Sequence, residues 1–252
     1  MKVLIHGFGR MGKLVAQATV DKYDVQIIED IVENDAIEGD TVTIDGENGA
    51  RYEINVVHHF DDVIVPDVII DFSHPSSLDT LLRFAIAKRV PLIVGTTGYS
   101  SEQIERMKQA ARSIPIVRSG NFAQGFCAFK TAIARLSEQF PHAVIRIHET
   151  HHIHKADHPS GSALDIAETI KKSCFDKTVA IGPTVDRGAI GITSERIGEE
   201  IGTHRVTFDL GDELIILTHR ALDRRAFALG AVEAAERIVG KTIGYYRSED
   251  LL

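Results

Sequence analysis

Residues 2–19 read KVLIHGFGRMGKLVAQAT, and this stretch decides the fold. It begins with a short apolar, β-rich run, which is followed at once by Gly7, Gly9 and Gly12 in the spacing GxGxxG. Met11 to Lys22 then has the apolar periodicity of an amphipathic helix. A strand, a glycine turn and a helix in this order are typical of the first unit of a dinucleotide-binding domain.

Each glycine of the turn has a separate task. Gly7 allows the tight turn, Gly9 lets the backbone approach a pyrophosphate, and Gly12 lets the helix pack closely on the strand. The N-terminus of the helix faces the anion. The whole turn is therefore predicted to contact the cofactor, namely Gly7, Phe8, Gly9, Arg10, Met11 and Gly12.

An acidic residue about 20 positions after the turn should meet the adenosine ribose. Asp30 and Glu33 both lie near the end of the second predicted strand, Val25 to Ile31, and the sequence does not choose between them. The guanidinium of Arg10 can bind a ribose 2′-phosphate. NADH and NADPH therefore both stay open as cofactors.

Short apolar runs alternate with helical patterns up to about Asn121, which predicts βαβ units and a parallel sheet. Ligands of such sheets bind at the carboxyl ends of the strands. Two loops that follow apolar strands are therefore predicted to line the nicotinamide side. Their residues are Gly95, Thr96 and Thr97 in the first loop, and Ser119, Gly120, Asn121 and Phe122 in the second.

The pattern changes beyond Phe122. A helical stretch reaches Gln139, a strand is predicted from Ala143 to His148, and a His-rich loop leads to a helix that begins at Ser162. A glycine-rich segment, two strands and a last helix follow, at Gly182 to Gly202, Thr203 to Leu210, Glu213 to His219 and Arg225 to Val239. This part is predicted to be a separate α+β unit with a mixed sheet.

The composition narrows the class of protein. A formal charge of −8 argues against nucleic acid or an anionic membrane as the main partner, because both need clustered basic residues. The two cysteines, Cys127 and Cys174, cannot form a disulfide framework, so a cytoplasmic location is expected. The first residues lack the features of a signal peptide, and no apolar run approaches the roughly 20 residues of a membrane helix.

The segment from His148 to Ser162 carries most of the reactive side chains. His148 to His152 reads HETHH, a formal match to the zinc-protease motif HExxH. That motif needs a helix, whereas the alternation of residues 144–147 predicts a strand here. No metal is therefore expected.

The same segment can instead form a loop that ends in a helix. Ser162 with Asp165 would give that helix a capping box, and the N–H groups and hydroxyls from Ser160 to Ser162, with Gly161 between them, would bind a carboxylate. Lys155 can bind a carboxylate or deliver a proton, and His151 can act as acid or base.

These residues resemble the 4-hydroxy-tetrahydrodipicolinate reductase (dihydrodipicolinate reductase) family. The family pattern E(A)HHxxKxDAPSGTA matches Glu149 to Ala163, and the resemblance covers essentially the whole chain, including GFGRMG, GTTG and residues 218–221. It implies NAD(P)H-dependent reduction of a small dicarboxylate in lysine and diaminopimelate biosynthesis. It also implies that His151 and Lys155 form the catalytic acid and base pair and that His152, Gly161 and Ser162 contact the substrate.

The resemblance further implies an architecture. A Rossmann-type domain would comprise residues 1–122 and 225–252, and a substrate-binding and oligomerisation domain residues 123–224, assembled as a homotetramer through the sheets of the second domain. Three positions depart from the family pattern: His158 replaces Ala, Ser162 replaces Thr, and Gly120 stands where Ala or Pro is common. The alternative function is a non-catalytic NAD(P)H-binding redox sensor, but a sensor needs no proton donor.

Overall fold

The computed structural model describes residues 1–28, 41–174, 177–182, 186 and 188–252. The strands of this part are β1 (Lys2–His6), β2 (Asp24–Ile28), β3 (Thr41–Asp45), β4 (Arg51–Val57), β5 (Val68–Asp71), β6 (Leu92–Val94), β7 (Pro115–Arg118), β8 (Val144–His151), β9 (Thr178–Ile181), β10 (Ala189–Arg196), β11 (Gly202–Asp209), β12 (Leu214–Ala221) and β13 (Gly244–Tyr246). The α-helices are α1 (Arg10–Thr19), α2 (Leu78–Lys88), α3 (Ser101–Ala110), α4 (Gln124–Gln139), α5 (Gly161–Ser173) and α6 (Arg225–Ile238). Short 3₁₀ helices cover Phe60–Asp62, Pro75–Ser77 and Ser248–Asp250.

The chain divides into two compact units. Unit 1 consists of Met1–Ala123 together with Arg225–Leu252, and unit 2 of Gln124–Arg224. Each helix within the described ranges is too short or too polar to cross a membrane.

The sheet of unit 1 has the strand order β13-β7-β6-β5-β1-β2-β4-β3. Its neighbouring strands are parallel except for the antiparallel pair β3 and β4. The carboxyl ends of the parallel strands therefore meet at one edge of the sheet, which is where α/β sheets of this kind bind their ligands.

Helices cover both faces of this sheet. Val3 and Ile5 of β1 belong to the core that also contains side chains of α1 and α6, whereas Leu4 belongs to the core formed with α2 and α3. Such two-sided burial explains why the segments Val3 to Ile5, Val68 to Ile70 and Leu92 to Val94 are continuously apolar. The predicted Rossmann-type parallel sheet is confirmed.

Unit 2 contains a mixed sheet with the order β12-β11-β8-β10-β9. β10 runs parallel to β8 and β9, and β11 runs antiparallel to β8 and β12. Side chains that alternate along the strands, such as Ile147 and Val206, are buried on one face, while Arg205 and Thr218 on the opposite face are exposed. The predicted α+β unit with a mixed sheet is confirmed.

Several predicted boundaries were wrong. The strand predicted to end at His148 continues to His151, so His151 lies on the sheet and not in a loop. The glycine-rich segment contains β10, because residues 190–196 pair in parallel with β8 despite Gly191. The prediction also omitted four strands, β3, β4, β9 and β13.

The predicted cap of α5 was wrong as well. The N-cap is Ser160, whose hydroxyl accepts a hydrogen bond from the Ala163 N–H at 3.1 Å. Ser162 lies in the first turn of the helix, and Asp165 forms an ion pair with Lys130 at 2.6 Å. The helix begins earlier than predicted because the Ser160 N–H donates a hydrogen bond to Glu149, and this tertiary contact places Ser160 at the start of the helix.

Candidate active site

Two glycines of the turn after β1 have no room for a side chain. Gly7 has a φ of +86°, and a Cβ on it would lie 2.6 Å from the carbonyl oxygen of Phe72. A Cβ on Gly12 would lie 2.0 Å from the carbonyl oxygen of Gly7. The turn therefore depends on both glycines for steric reasons, as the sequence predicts.

Gly9 is free of such contacts. It is the N-cap of α1 and provides no side-chain cap. No described atom beyond its chain neighbours lies within 4 Å of the position of a Cβ. The first turn of α1 contains no acidic residue, and Arg10, the first residue of the helix, is exposed. Open space before uncapped helix N–H groups fits the diphosphate of a dinucleotide. Phe8 and Met11 are partly buried and pack against the core.

The other predicted cofactor loops lie at the same edge of the sheet of unit 1. Gly95 packs so closely that its Cβ would lie 2.2 Å from the Phe72 ring. Ser119 donates to the Asn121 carbonyl at 2.7 Å, and the Asn121 side chain accepts from Ala123 N–H at 3.0 Å. Among the remaining predicted residues, Thr96 and Phe122 are buried, whereas Thr97 and Gly120 are exposed. Asp30 and Glu33 lie outside the described residues.

A buried polar pair near this edge was not predicted. His6 Nδ1 lies 2.8 Å from Asp71 Oδ1, and the Ser73 hydroxyl donates to the same oxygen at 2.5 Å. Burial alone would raise the pKa of Asp71, but the hydrogen bonds and charge of these neighbours lower it. The signal in the sequence was an aspartate at the end of an otherwise apolar buried strand. The pair stabilises the end of β5, next to the residues that enclose Gly7.

His151 ends β8 in unit 2 and is only 6% exposed. Its Nδ1 lies 3.5 Å from Oε2 of Glu149, which is fully buried. His204 of β11 faces the same oxygen, with its Nε2 at 3.7 Å. The sequence analysis did not select His204, although a histidine in the inward register of Val206 and Phe208 was the available signal.

Lys155 lies in the segment between β8 and α5. Its ammonium forms an ion pair with Asp157 at 2.7 Å, and the other oxygen of Asp157 accepts from the Gly161 N–H at 3.3 Å. The Ser160 N–H donates to Glu149 at 2.8 Å. The Ser160 and Gly161 N–H groups, which were predicted to bind a substrate carboxylate, thus donate to the carboxylates of Glu149 and Asp157. The contact with Glu149 also fixes Ser160 as the N-cap. His152 and Ser162 are half-buried near this loop.

The pKa values of both His151 and Glu149 are lowered. Burial, helped by the charge of His204, lowers the pKa of His151 to about 4. Burial would raise the pKa of Glu149, but interactions with its neighbours, His204 and Ser160 first, hold that pKa well below its usual range. At neutral pH Glu149 is therefore ionised and His151 is neutral.

We expect the low pKa of His151 to make unit 2 sensitive to acid. An unfolded histidine titrates near 6.5, so between that value and about 4 the unfolded state binds more protons and the free energy of unfolding falls as pH falls. The loss between about pH 7 and pH 5 is on the order of 2 kcal/mol. Urea denaturation at both pH values should show a smaller loss for His151→Gln, and equal losses would contradict the assignment.

The HExxH interpretation does not hold. His148 and Glu149 are consecutive residues of β8, so their side chains point to opposite faces of the sheet. His148 is exposed and contacts Thr193 and Glu195, whereas Glu149 is buried. The two histidines of the motif therefore do not share a helix face.

A Rossmann-type unit with an open glycine turn, joined to a mixed-sheet unit that holds a histidine, a lysine and a helix N-terminus, defines a nicotinamide-dependent oxidoreductase. The family model "Dihydrodipicolinate reductase, N-terminus" matches residues 1–122, and "Dihydrodipicolinate reductase, C-terminus" matches residues 125–252. The chain belongs to the dihydrodipicolinate reductase family.

Curated relatives of the same family match this chain over its full length. A 4-hydroxy-tetrahydrodipicolinate reductase of Alkaliphilus metalliredigens (strain QYMF) is 33% identical over 259 aligned positions, which cover 100% of this chain and 99% of the relative. The enzyme of the same name from Xylella fastidiosa (strain M23) is 36% identical over 255 positions, covering 100% and 98%.

Solved structures show the same fold. A dipicolinate-bound dihydrodipicolinate reductase from Paenisporosarcina sp. TG-14 has a TM-score of 0.75 at 22% identity and covers 100% of this chain and 99% of that one. An amine dehydrogenase from Mycobacterium smegmatis has a TM-score of 0.68 at 13% identity, covering 100% and 96%. Because the fold is shared by enzymes with different names, the side chains of the site must decide the chemistry.

Proposed function

We propose that the chain catalyses the NAD(P)H-dependent reduction of 4-hydroxy-tetrahydrodipicolinate (dihydrodipicolinate) to tetrahydrodipicolinate in lysine and diaminopimelate biosynthesis. The relatives that match its full length have the corresponding name. The observation that carries the proposal is that a buried, neutral His151 ends β8 and interacts electrostatically with the ammonium of Lys155, which lies in the segment before α5. A pair of this kind can hold a carboxylated substrate and move one proton.

The residues of unit 2 are proposed to bind the substrate and supply the proton. Lys155 is the better proton donor of the pair, because the low pKa of His151 leaves its imidazole neutral at pH 7. His151 then serves as a hydrogen-bond partner of the substrate. A substrate carboxylate is proposed to bind at the start of α5 and to replace Asp157 on the Gly161 N–H, with contacts from His152, Ser160, Gly161 and Ser162.

The cofactor is proposed to bind in unit 1. The glycine turn and the N-terminus of α1 would hold the diphosphate, and the loops after β6 and β7 would hold the nicotinamide side. When bound, the reduced nicotinamide supplies the hydride. Both NADH and NADPH are proposed as donors, with Arg10 available for a 2′-phosphate and with Asp30 or Glu33 for a ribose hydroxyl.

A homotetramer formed through the sheet of unit 2 is proposed as the assembly. The face of this sheet opposite α4 and α5 exposes Leu214 and Ile216 of β12, at 56% and 44%. Exposed apolar side chains on a sheet face favour burial against another copy of the chain. A cytoplasmic location is proposed as well, and Cys127 and Cys174 are both free thiols.

The test is loss of absorbance at 340 nm when enzymatically generated substrate is added to the protein with NADH or NADPH. We expect substrate-dependent oxidation of at least one of the two. A redox sensor would bind the reduced cofactor without consuming it, so tight binding without turnover would favour that alternative and contradict the reductase proposal.

A further inference from the structure

Glu149 has two oxygens in different surroundings. Oε1 accepts hydrogen bonds from the Ser160 N–H at 2.8 Å, the Ser194 hydroxyl at 2.7 Å and the Arg196 guanidinium at 3.4 Å. Oε2 is buried and accepts none, and it faces Nδ1 of His151 at 3.5 Å and Nε2 of His204 at 3.7 Å. One oxygen therefore holds the loop and α5, and the other is directed at two imidazole rings.

The sheet register produces this arrangement. Glu149 on β8 is the direct neighbour of His204 on β11 and of Ser194 on β10. His151 follows two residues later on the same face of β8. These side chains are therefore attached to paired strands. Oε2 and Nδ1 lie 3.5 Å apart, so a shortening of about 0.3 Å would bring them into the usual hydrogen-bond range.

A neutral imidazole carries its hydrogen on one nitrogen only, and the partner of the other nitrogen decides which one. Nδ1 of His151 is buried without a hydrogen-bond partner, and Oε2 of Glu149, which also accepts no hydrogen bond, lies 3.5 Å from it. Resting on the function proposed above, we propose that Glu149 is a positioning residue that keeps the hydrogen of His151 on Nδ1 and leaves Nε2 as an acceptor.

The surroundings of Nε2 fit this assignment. A Cβ on Gly202 would lie 3.0 Å from Nε2, so the glycine at the start of β11 leaves this nitrogen uncovered by a side chain. His204 packs edge-on against the His151 ring, with 5.1 Å between the ring centroids, and itself packs against Phe126. His204 thus packs against the ring, and Gly202 places no side chain at Nε2.

The charged groups around His151 act in opposite directions. Burial and the charges of His204, Lys155 and Arg196 lower the pKa of His151, whereas the charge of Glu149 raises it. Glu200 also interacts with His151 electrostatically. Because the effects that lower the pKa of His151 are the larger ones, the ring stays neutral at pH 7. The nitrogen that carries the single N–H hydrogen of the ring therefore matters for the reaction.

Glu149→Gln is the decisive variant. The three donors on Oε1 should keep the amide oxygen there, so the NH₂ group should replace Oε2 and donate to Nδ1 of His151. The ring hydrogen must then move to Nε2. We expect kcat to fall about tenfold, as for loss of a charge-assisted hydrogen bond, while the Kd for NADH stays unchanged.

The tautomer can be read directly by NMR. Long-range ¹H–¹⁵N spectra of the substrate-free protein should show His151 protonated on Nδ1 in the wild type and on Nε2 in Glu149→Gln. The wild-type spectrum tests the proposal even if the variant does not fold, and hydrogen on Nε2 in the wild type would overturn it. If the wild type fails to oxidise either reduced cofactor with substrate, the proposed function fails, but the spectra still decide the role of Glu149.

A double-mutant cycle separates positioning from general stabilisation. If Glu149 acts through His151, Glu149→Gln should have no further effect on kcat in a His151→Ala background. An undiminished effect there would contradict the proposal. Glu138→Gln, an exposed carboxylate of α4 that pairs with Arg135, is the matched control and should leave kcat and the His151 spectrum unchanged.

A metal site is an alternative role for the side chains of Glu149, His151 and His204. The nearest ligand atoms of Glu149, His151 and His204 lie within 4.8 Å of one another, a spacing that a metal ion could also use. The assays are therefore repeated with EDTA. Activity that is lost on chelation and restored by a divalent metal would overturn the tautomer proposal, and unchanged activity would support it.

Discussion

Replacing Lys155 with alanine is expected to lower kcat at least about 100-fold, the usual scale for a residue that donates the proton. The side chain is 24% exposed and pairs with Asp157, so its ammonium is available at the start of α5. His151 cannot easily take its place, because the pKa of His151 falls to about 4 on burial. The substrate KM should rise as well, because Lys155 also offers a positive charge to a carboxylate.

Steady-state rates at 340 nm measure this effect. The Kd for NADH should stay unchanged, since the proposed cofactor residues all belong to unit 1. Lys171→Ala, which removes an exposed lysine from the last turn of α5, is the matched control and should retain wild-type kcat. A normal kcat for Lys155→Ala would remove Lys155 from the mechanism.

Gly9→Ala is expected to weaken NADH binding about tenfold to hundredfold, or about 1.4 to 2.8 kcal/mol, without loss of stability. The φ of Gly9 is −72°, which alanine adopts readily, and no described atom beyond its chain neighbours lies within 4 Å of the new Cβ. The added methyl group therefore extends only into the space where a diphosphate would approach the backbone. Calorimetry measures the affinity, and thermal unfolding measures the stability.

Gly12→Ala supplies the contrast within the same turn. Its Cβ would lie 2.0 Å from the carbonyl oxygen of Gly7, and backbone atoms cannot yield as a flexible side chain does. We expect the free energy of unfolding to fall by about 3 kcal/mol or more.

If Gly9→Ala binds NADH as tightly as the wild type, the turn is only a structural feature and the cofactor site must lie elsewhere.

The sequence by itself was sufficient for the features that depend on neighbours along the chain. The turn at Gly7, Gly9 and Gly12 is encoded in six consecutive residues, because a tight turn and close packing require glycine at fixed spacing. The alternation of short apolar runs with helical patterns predicted the parallel sheet, because consecutive β and α segments form βαβ units along the chain. Even the family could be inferred at this level, because residues 149–163 preserve its pattern in order.

The tertiary structure alone decided what depends on residues far apart in the chain. Glu149 and His204 are 55 positions apart and become neighbours only through the register of β8 and β11, which no local periodicity specifies. The N-cap of α5 is Ser160 and not the predicted Ser162, because the Ser160 N–H donates a hydrogen bond to Glu149, which is distant in the sequence. Local sequence patterns indicate which residues are buried, whereas strand pairing determines which buried groups contact each other. The chemistry of His151 depends on strand pairing, because its neighbours Glu149 and His204 lie on paired strands.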